Sequence, residues 1–235
     1  MKGGPWMTTM TFSELAKHFR LLSDPEVLKD EEKGWLEKFL RLEYQAREKR
    51  RIDTLMKMSG IKRVKRFADF DWTFNPKLPR DKLMAFRASW LTRPCALILI
   101  GPAGVGKTHL ATAFCHEAVL AGRHTVFLSF FDFMARLAKA KSPYTFVDYF
   151  AKVPILCLDE LGYALPSKEH ADAFFQIVSK RAEVATTLLT TNLVPSQWGK
   201  LFDSTTASAV LDRLSMGGTF ITIEGRSYRS HKLHP

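Results

Sequence analysis

Two periodicities divide this chain. From residue 11 to about residue 59, apolar residues recur at three- and four-residue steps, first in TFSELAKHFRLLS and then through Leu28, Trp35, Leu36, Phe39, Leu40, Ile52, Leu55 and Met56. That spacing predicts two helices, the second with one face to bury, and Ser23-Asp24-Pro25 reads as its cap and first-turn proline. Beyond Phe67 the pattern changes. A linker, FADFDWTFNPKLPR, leads to an apolar helix over residues 81–91. Short runs rich in apolar and β-branched residues then alternate with helical segments: Ala96–Ile100, Thr125–Ser129, Pro154–Leu158, Thr186–Thr190 and Thr219–Ile223. This alternation predicts an α/β fold with a parallel sheet flanked by helices. The expected organisation is a small helical N-terminal domain over residues 1–66 and an α/β domain over 67–235.

The first of those strands runs directly into GPAGVGKT at residues 101–108, which fits the pattern G-x-x-x-x-G-K-[ST]. Glycines at 101, 104 and 106 let the backbone turn its N–H groups inward around phosphates, and the positive end of the following helix adds a favourable field. Lys107 is expected at the β and γ phosphates and Thr108 on Mg²⁺. Gly101, Pro102, Ala103, Gly104, Val105, Gly106, Lys107, Thr108 and His109 form the expected nucleotide-contacting set. A helix from Lys107 to about Leu120, with Leu110, Phe114 and Val119 apolar, completes the context the motif requires. The expected ligands are ATP and Mg²⁺.

About fifty residues later, Pro154-Ile155-Leu156-Cys157-Leu158 is an apolar strand that ends in Asp159-Glu160. At the carboxyl end of a parallel strand, Asp159 would bind Mg²⁺ directly or through water. Glu160 would polarise the water that attacks the γ phosphate. The strand TTLLTT ends at the same edge in Asn192, which reads either as a contact to that water or phosphate or as the start of a turn before Pro195. Arg213 has two readings also: a surface arginine paired with Asp212, or a cation offered to the phosphoryl group of a neighbouring subunit.

Composition narrows the partners. With 46% hydrophobic residues in 235, the chain can bury a core, so a disordered chain is excluded. The net charge of +11 is concentrated between residues 47 and 66. There Arg47, Lys49, Arg50, Arg51, Lys57, Lys62, Arg63, Lys65 and Arg66 face only Glu48 and Asp53, as expected of a segment that tracks a phosphate backbone. Single-strand binders add aromatic platforms, and no aromatic lies between Gln45 and Arg66, which favours duplex DNA. Cys95, Cys115 and Cys157 lack CxxC spacing and read as buried, reduced thiols. No segment approaches the roughly 18 apolar residues a membrane span needs, and MKGGPWMTTM holds no signal-length apolar stretch, so a cytoplasmic protein is expected. Phe130, Phe131, Phe133 and Tyr149, at helical spacing, read as core rather than as DNA contacts.

Taken together, GPAGVGKTHLATAF, LDELGYALPSKEHADAFFQIVSKR, TTLLTTNLVPSQWGKLF, AVLDRL and GRSYRS resemble the AAA+ ATPases, specifically the IstB and DnaC branch, over about residues 67–232. DELGY, FFQIVSKR and TTN with SQWG are more similar to the IstB side. The resemblance implies an AAA+ P-loop ATPase fold without a C-terminal lid domain. It implies nucleotide and metal contacts at Lys107 and Thr108, a Walker B pair at Asp159 and Glu160, a sensor at Asn192 and an arginine finger at Arg213. Arg229 reads as a second sensor at the nucleotide or as part of a basic DNA-contacting tail with Arg226, His231 and Lys232.

The resemblance also implies a function. An IstB-like protein is an ATP-dependent helper of an insertion-sequence transposase, and the expectation for this chain is that it oligomerises on duplex DNA without sequence preference, holds ATP between subunits and serves a cognate transposase, with hydrolysis driving disassembly. The alternative is a DnaC-like loader of a replicative helicase. A stand-alone kinase is disfavoured by the basic cluster and the lack of an acceptor-pocket signature.

Overall fold

The computed structural model describes residues 10–22 and 27–233, the side chains of 231–233 excepted. The cap read at Ser23-Asp24-Pro25 lies outside the described residues, as do the side chains of His231 and Lys232. Packing separates the chain into two units, Met1–Thr54 and Leu55–Pro235.

In the first unit, α1 (Phe12–His18) opens on a capping box between Thr11 and Glu14. α2 (Asp30–Met58) is a single helix that continues past the division. Leu15 and Ala16 of α1 are buried, His18 meets Tyr44 edge-on at 5.1 Å, and the Arg47 guanidinium lies 4.7 Å from the Phe19 ring. The buried face expected of α2 is only partly formed. Among its described residues Leu40 alone is buried, while Trp35 and Phe39 stack on each other at 5.6 Å and remain 67% and 51% exposed. The reason is length: α1 has 7 residues and α2 has 29, so one short helix covers a small part of a long one.

The second unit is built on five strands, β1 (Ala96–Ile100), β2 (Thr125–Ser129), β3 (Ile155–Leu161), β4 (Thr186–Thr191) and β5 (Gly218–Thr222). All pair in parallel, in the order β2-β3-β4-β1-β5. Strand parity sorts the core into two layers. Leu97, Leu99, Ile155, Cys157, Leu188 and Ile221 pack with α3 (Arg80–Ser89) and α4 (Lys107–Leu120). Ile98, Ile100, Leu156, Leu158 and Leu189 pack with α5 (Phe130–Ala138), α6 (Pro143–Lys152), α7 (Lys168–Arg181) and α8 (Ser204–Ser215). A last helix, α9 (Tyr228–Leu233), follows β5. Among the described residues no helix is long and apolar enough to cross a membrane.

Several expectations shift. The strand read as Pro154–Leu158 continues to Leu161, because a bulge carries β3 past its acids to pair again at Thr191. The domain boundary expected at residue 66 differs from the division in packing at Thr54/Leu55. The intervening segment joins the sheet: Phe127 N–H donates to Ser59 O at 2.7 Å, and the His109 ring meets Arg66 O at 2.9 Å. Phe130 and Phe133 are core residues, but Phe131 and Tyr149 are 67% and 50% exposed. Cys115 and Cys157 are buried free thiols, and Cys95 is half-buried.

Arg181 is 1% exposed, and its hydrogen bonds among the described residues go to carbonyl and hydroxyl oxygens. Its guanidinium donates to Phe150 O at 2.7 Å, Val153 O at 2.5 Å and Thr187 Oγ1 at 2.9 Å, and also to Thr186 O, so it closes the carboxyl end of α6 and ties it to β4. Burial pulls its pKa down to about 9, which leaves it protonated near neutral pH. Removing the fork strands several buried acceptors at once. Arg181→Met is therefore expected to cost about 3 kcal/mol or more in urea unfolding. A loss below about 1 kcal/mol would mean that water takes over the acceptors.

Candidate active site

The register brings the carboxyl ends of the strands to one edge, where Ile100 pairs with Thr191 and Thr222, and Ser129 with Asp159. The phosphate-binding loop leaves β1 there, and its first N–H, on Gly101, donates to Thr191 O at 3.1 Å. Gly104 and Gly106 have φ of +81° and +102°. Neither tolerates a side chain. A Cβ on Gly104 would lie 2.1 Å from Ser227 Oγ, and one on Gly106 would lie 2.6 Å from the Phe70 ring. Gly106 caps α4 in the left-handed conformation and leaves the first-turn N–H groups of that helix facing the loop. Lys107 is buried, and its Nζ donates to Gly101 O at 2.8 Å and Pro102 O at 2.7 Å. Burial lowers its pKa, with Asp159 opposing and Arg229 adding to that shift.

Across from the loop stands the acid pair. Asp159 is 5% exposed, and its Oδ1 accepts a hydrogen bond from Thr108 Oγ1 at 3.1 Å and another from Thr190 Oγ1. Burial raises its pKa, against the pull of those two hydroxyls and of Lys107. Glu160 is exposed, with φ at +64°, and its N–H donates to Thr190 Oγ1 at 2.9 Å. The bulge places three steps of β3, Leu158 to Leu161, against two of β4, Leu189 to Thr191.

These groups line one cleft of about 990 Å³. Of the expected nucleotide set, Ala103, Gly104, Val105, Gly106, Lys107, Thr108 and His109 line it, together with Asp159, Glu160 and Arg229. Gly101 and Pro102 act through their carbonyls on Lys107. Arg229 comes in because the segment before it is pinned: Tyr228 N–H donates to Gly104 O at 3.0 Å, and Arg226 N–H to Asn75 Oδ1 at 3.2 Å. Asn192 lies one residue beyond β4, exposed and beside Gly162, and is not among the lining residues. Arg213 is elsewhere. It borders a shallow depression with Cys95, Ala185 and Thr187, at the amino ends of β1 and β4, and pairs with Asp212 at 3.3 Å.

The basic run divides. Lys57, in the last turn of α2, lines the cleft with Lys62, Arg63 and Lys65, whereas Arg47, Lys49, Arg50 and Arg51 stand earlier on α2, with Arg47 paired to Glu43 and Arg51 to Glu48. Arg66 meets the site through its carbonyl on His109. Thr190, Ser129, Asp132, Arg136 and Tyr163 also line the cleft, though none of them was read as a site residue from the sequence. Thr190 had a readable signal, being a polar residue that shares its strand face with Leu188.

The Thr108 hydroxyl and the Asp159 carboxylate are hard oxygen donors that suit Mg²⁺. Among the described residues no group of three or more His, Cys, Asp or Glu side chains could hold a metal. Such an ion would therefore take the rest of its shell from phosphate and water, as Mg²⁺ commonly does.

Comparison with known proteins places the chain in a family. The profile of the family described as IstB-like ATP binding protein matches residues 13–234. The chain is 35% identical over 195 residues to the ATP-binding protein of insertion sequence IS21 from Pseudomonas aeruginosa, covering 81% of this chain and 74% of that protein. It is 33% identical over 199 residues to the insertion sequence IS232 ATP-binding protein of Bacillus thuringiensis subsp. berliner, covering 83% and 80%. Among solved structures, DnaI superposes with a TM-score of 0.59 at 25% identity, over 69% of this chain and 89% of that one. The DnaC helicase loader superposes with 0.53 at 21%, over 65% and 98%, a likeness of fold.

Because burial raises the pKa of Asp159, its charged form is disfavoured in the folded chain, and at neutral pH that charge subtracts from stability. Asp159→Asn keeps an acceptor for both threonines and removes the charge. It is expected to raise the melting temperature of the nucleotide-free protein by about 2–4 °C at pH 7 while abolishing ATP turnover. The gain should shrink as pH falls and the wild-type carboxylate protonates. A melting temperature lowered at pH 7 would contradict the assignment of strain to this charge.

Proposed function

This chain belongs to the IstB-like ATP binding proteins, within the AAA+ ATPases, and on that premise we propose that it is an ATP-hydrolysing transposition helper that assembles on duplex DNA. One observation carries the proposal. The phosphate loop, the acid pair and Arg229 line a single cleft, while Arg213 lies at the opposite edge of the same sheet.

In this reading the triphosphate lies along the loop N–H groups and the first turn of α4 and takes Lys107 from its two carbonyl partners. Thr108 and Asp159 would hold Mg²⁺, which would supply charge neutralisation at the phosphates. Glu160 polarises a water whose oxygen bonds to the γ phosphorus as the bond from that phosphorus to the β–γ bridging oxygen breaks, releasing ADP and phosphate. Lys107 and Arg229 stabilise the charge from within the chain. Arg213 reaches the nucleotide of the next subunit, so hydrolysis depends on assembly. Asn192 orients the water from the end of β4.

Duplex DNA is gripped through phosphates by Arg47, Lys49, Arg50 and Arg51 on α2. The ion pairs to Glu43 and Glu48 there are exposed and cheap to exchange for phosphate. Lys57, Lys62, Arg63 and Lys65 serve the nucleotide's side of the cleft as much as DNA, so nucleotide and DNA binding share a segment. ATP then acts as the bond between subunits, the assembly recruits its transposase, and hydrolysis releases it. The relatives named as insertion-sequence proteins support this reading over a helicase loader.

Light scattering with a non-hydrolysable ATP analogue should give large assemblies with duplex DNA, and Glu160→Ala should form them with ATP itself and fail to disassemble. Preference for single-stranded DNA, or a monomer under every condition, would favour the loader. Mixing tests the arginine. Lys107→Ala and Arg213→Ala should each be inactive alone, and an equimolar mixture should recover turnover at about a quarter of its interfaces, as expected of a statistical head-to-tail assembly. No recovery would place Arg213 outside catalysis.

A further inference from the structure

Thr190 belongs to neither motif of the site, yet its hydroxyl joins them. It is fully buried on β4, donates to Asp159 Oδ1 and accepts the Glu160 N–H at 2.9 Å. We propose that Thr190 is a positioning residue for hydrolysis, whose one hydroxyl sets the orientation of Asp159 and of the Glu160 backbone together. The proposal rests on the reading of Glu160 as the group that polarises the attacking water.

The geometry leaves that hydroxyl one arrangement. A threonine oxygen has a single proton to give. Since the Glu160 N–H already points at the oxygen, the proton goes to Asp159. The chain of bonds runs from Glu160 N–H to Thr190 O–H to Asp159 Oδ1, where the Thr108 hydroxyl also arrives at 3.1 Å. Without Thr190, two things change at once. Asp159 loses one of two hydroxyl donors. The Glu160 N–H, which the bulge takes out of the ladder between Leu158↔Leu189 and Leu161↔Thr191, loses its acceptor. Glu160 occupies the left-handed region at φ +64°, where a non-glycine residue persists only when its surroundings hold it. A buried threonine that served packing alone would be replaceable by valine, which has nearly the same shape.

Thr190→Val and Thr190→Ser separate these roles, with Glu160→Gln as control. In Thr190→Val, kcat should fall about 100-fold, the cost of a misplaced catalytic group. KM for ATP and the Kd of a fluorescent non-hydrolysable analogue should change by less than about threefold, the split expected when a transition-state interaction is lost. Hydrogen exchange of the peptide around Glu160 should accelerate in the same variant without nucleotide, independently of turnover. Thr190→Ser should restore most of the rate and the protection. The proposal is overturned if Thr190→Val keeps kcat near wild type, if analogue binding falls in step with kcat, if serine fails to restore the rate, or if the exchange of that peptide is unchanged. If Glu160→Gln itself turns over normally, the reading of Glu160 fails first; if Glu160→Gln is inactive and Thr190→Val is not, only the role of Thr190 fails.

Discussion

A carboxylate at 5% exposure is costly, and the cleft is organised around offsetting that cost at Asp159. The groups that offset it come from different elements. Thr108 stands in the first turn of α4, Thr190 lies near the carboxyl end of β4, and Lys107 adds its charge from the loop side. One buried charge on β3 thereby fixes where α4 and β4 meet at the edge of the sheet. Asp159 is destabilising by itself and organising through its partners, the combination expected where function rather than stability sets a residue.

Parity explains how ordinary strand sequences arrive at this arrangement. Cys157 and Leu188 face the layer of α4, so two residues further along each strand Asp159 and Thr190 face it too, opposite Thr108. Continued pleating would send Glu160 to the other face, where Leu158 joins the layer of α5 to α8. The extra residue at the bulge interrupts that alternation, and Glu160 lines the cleft beside Asp159 instead. Adjacent acids on a strand can serve one site only if the strand stops alternating between them. The positive φ at Glu160 is the local consequence.

The strands, the phosphate loop and the acid pair were legible in the sequence because each rests on local patterning: five short apolar runs, three glycines at fixed spacing, and acids at the end of a buried run. What escaped depends on tertiary context. The apolar stripe of α2 has the right period, but period says nothing of how long the partner helix is, and Trp35 and Phe39 stay exposed. The basic run reads as one patch. The chain turns at Ser59 and Gly60 against Phe127, and this takes Lys62, Arg63 and Lys65 to the cleft of the phosphate loop, where Lys57 from the last turn of α2 also lies. Arg229 could be read as sensor or as tail. The bond from Tyr228 N–H to Gly104 O, which no sequence pattern announces, brings it to the cleft.

On the proposed function, the two arginines divide the chemistry. Among the described residues that line the cleft, Lys57, Lys62, Arg63, Lys65, Lys107, Arg136 and Arg229 outnumber Asp69, Asp71, Asp132, Asp159 and Glu160, and the like charge of Arg229 adds to burial in depressing the pKa of Lys107. A polyphosphate relieves that repulsion, so cations within the chain favour the bound ground state as well as the transition state. Interactions that act equally on both improve binding without speeding reaction. A cation that accelerates hydrolysis does most when it meets the charge that develops on the γ phosphoryl oxygens, and Arg213 is held at the far edge of the sheet, away from its own chain's cleft. On the proposed function, a lone subunit can therefore hold ATP and keep it, because the charge its own residues supply is spent on binding. Turnover waits for the residue that only a neighbour can bring.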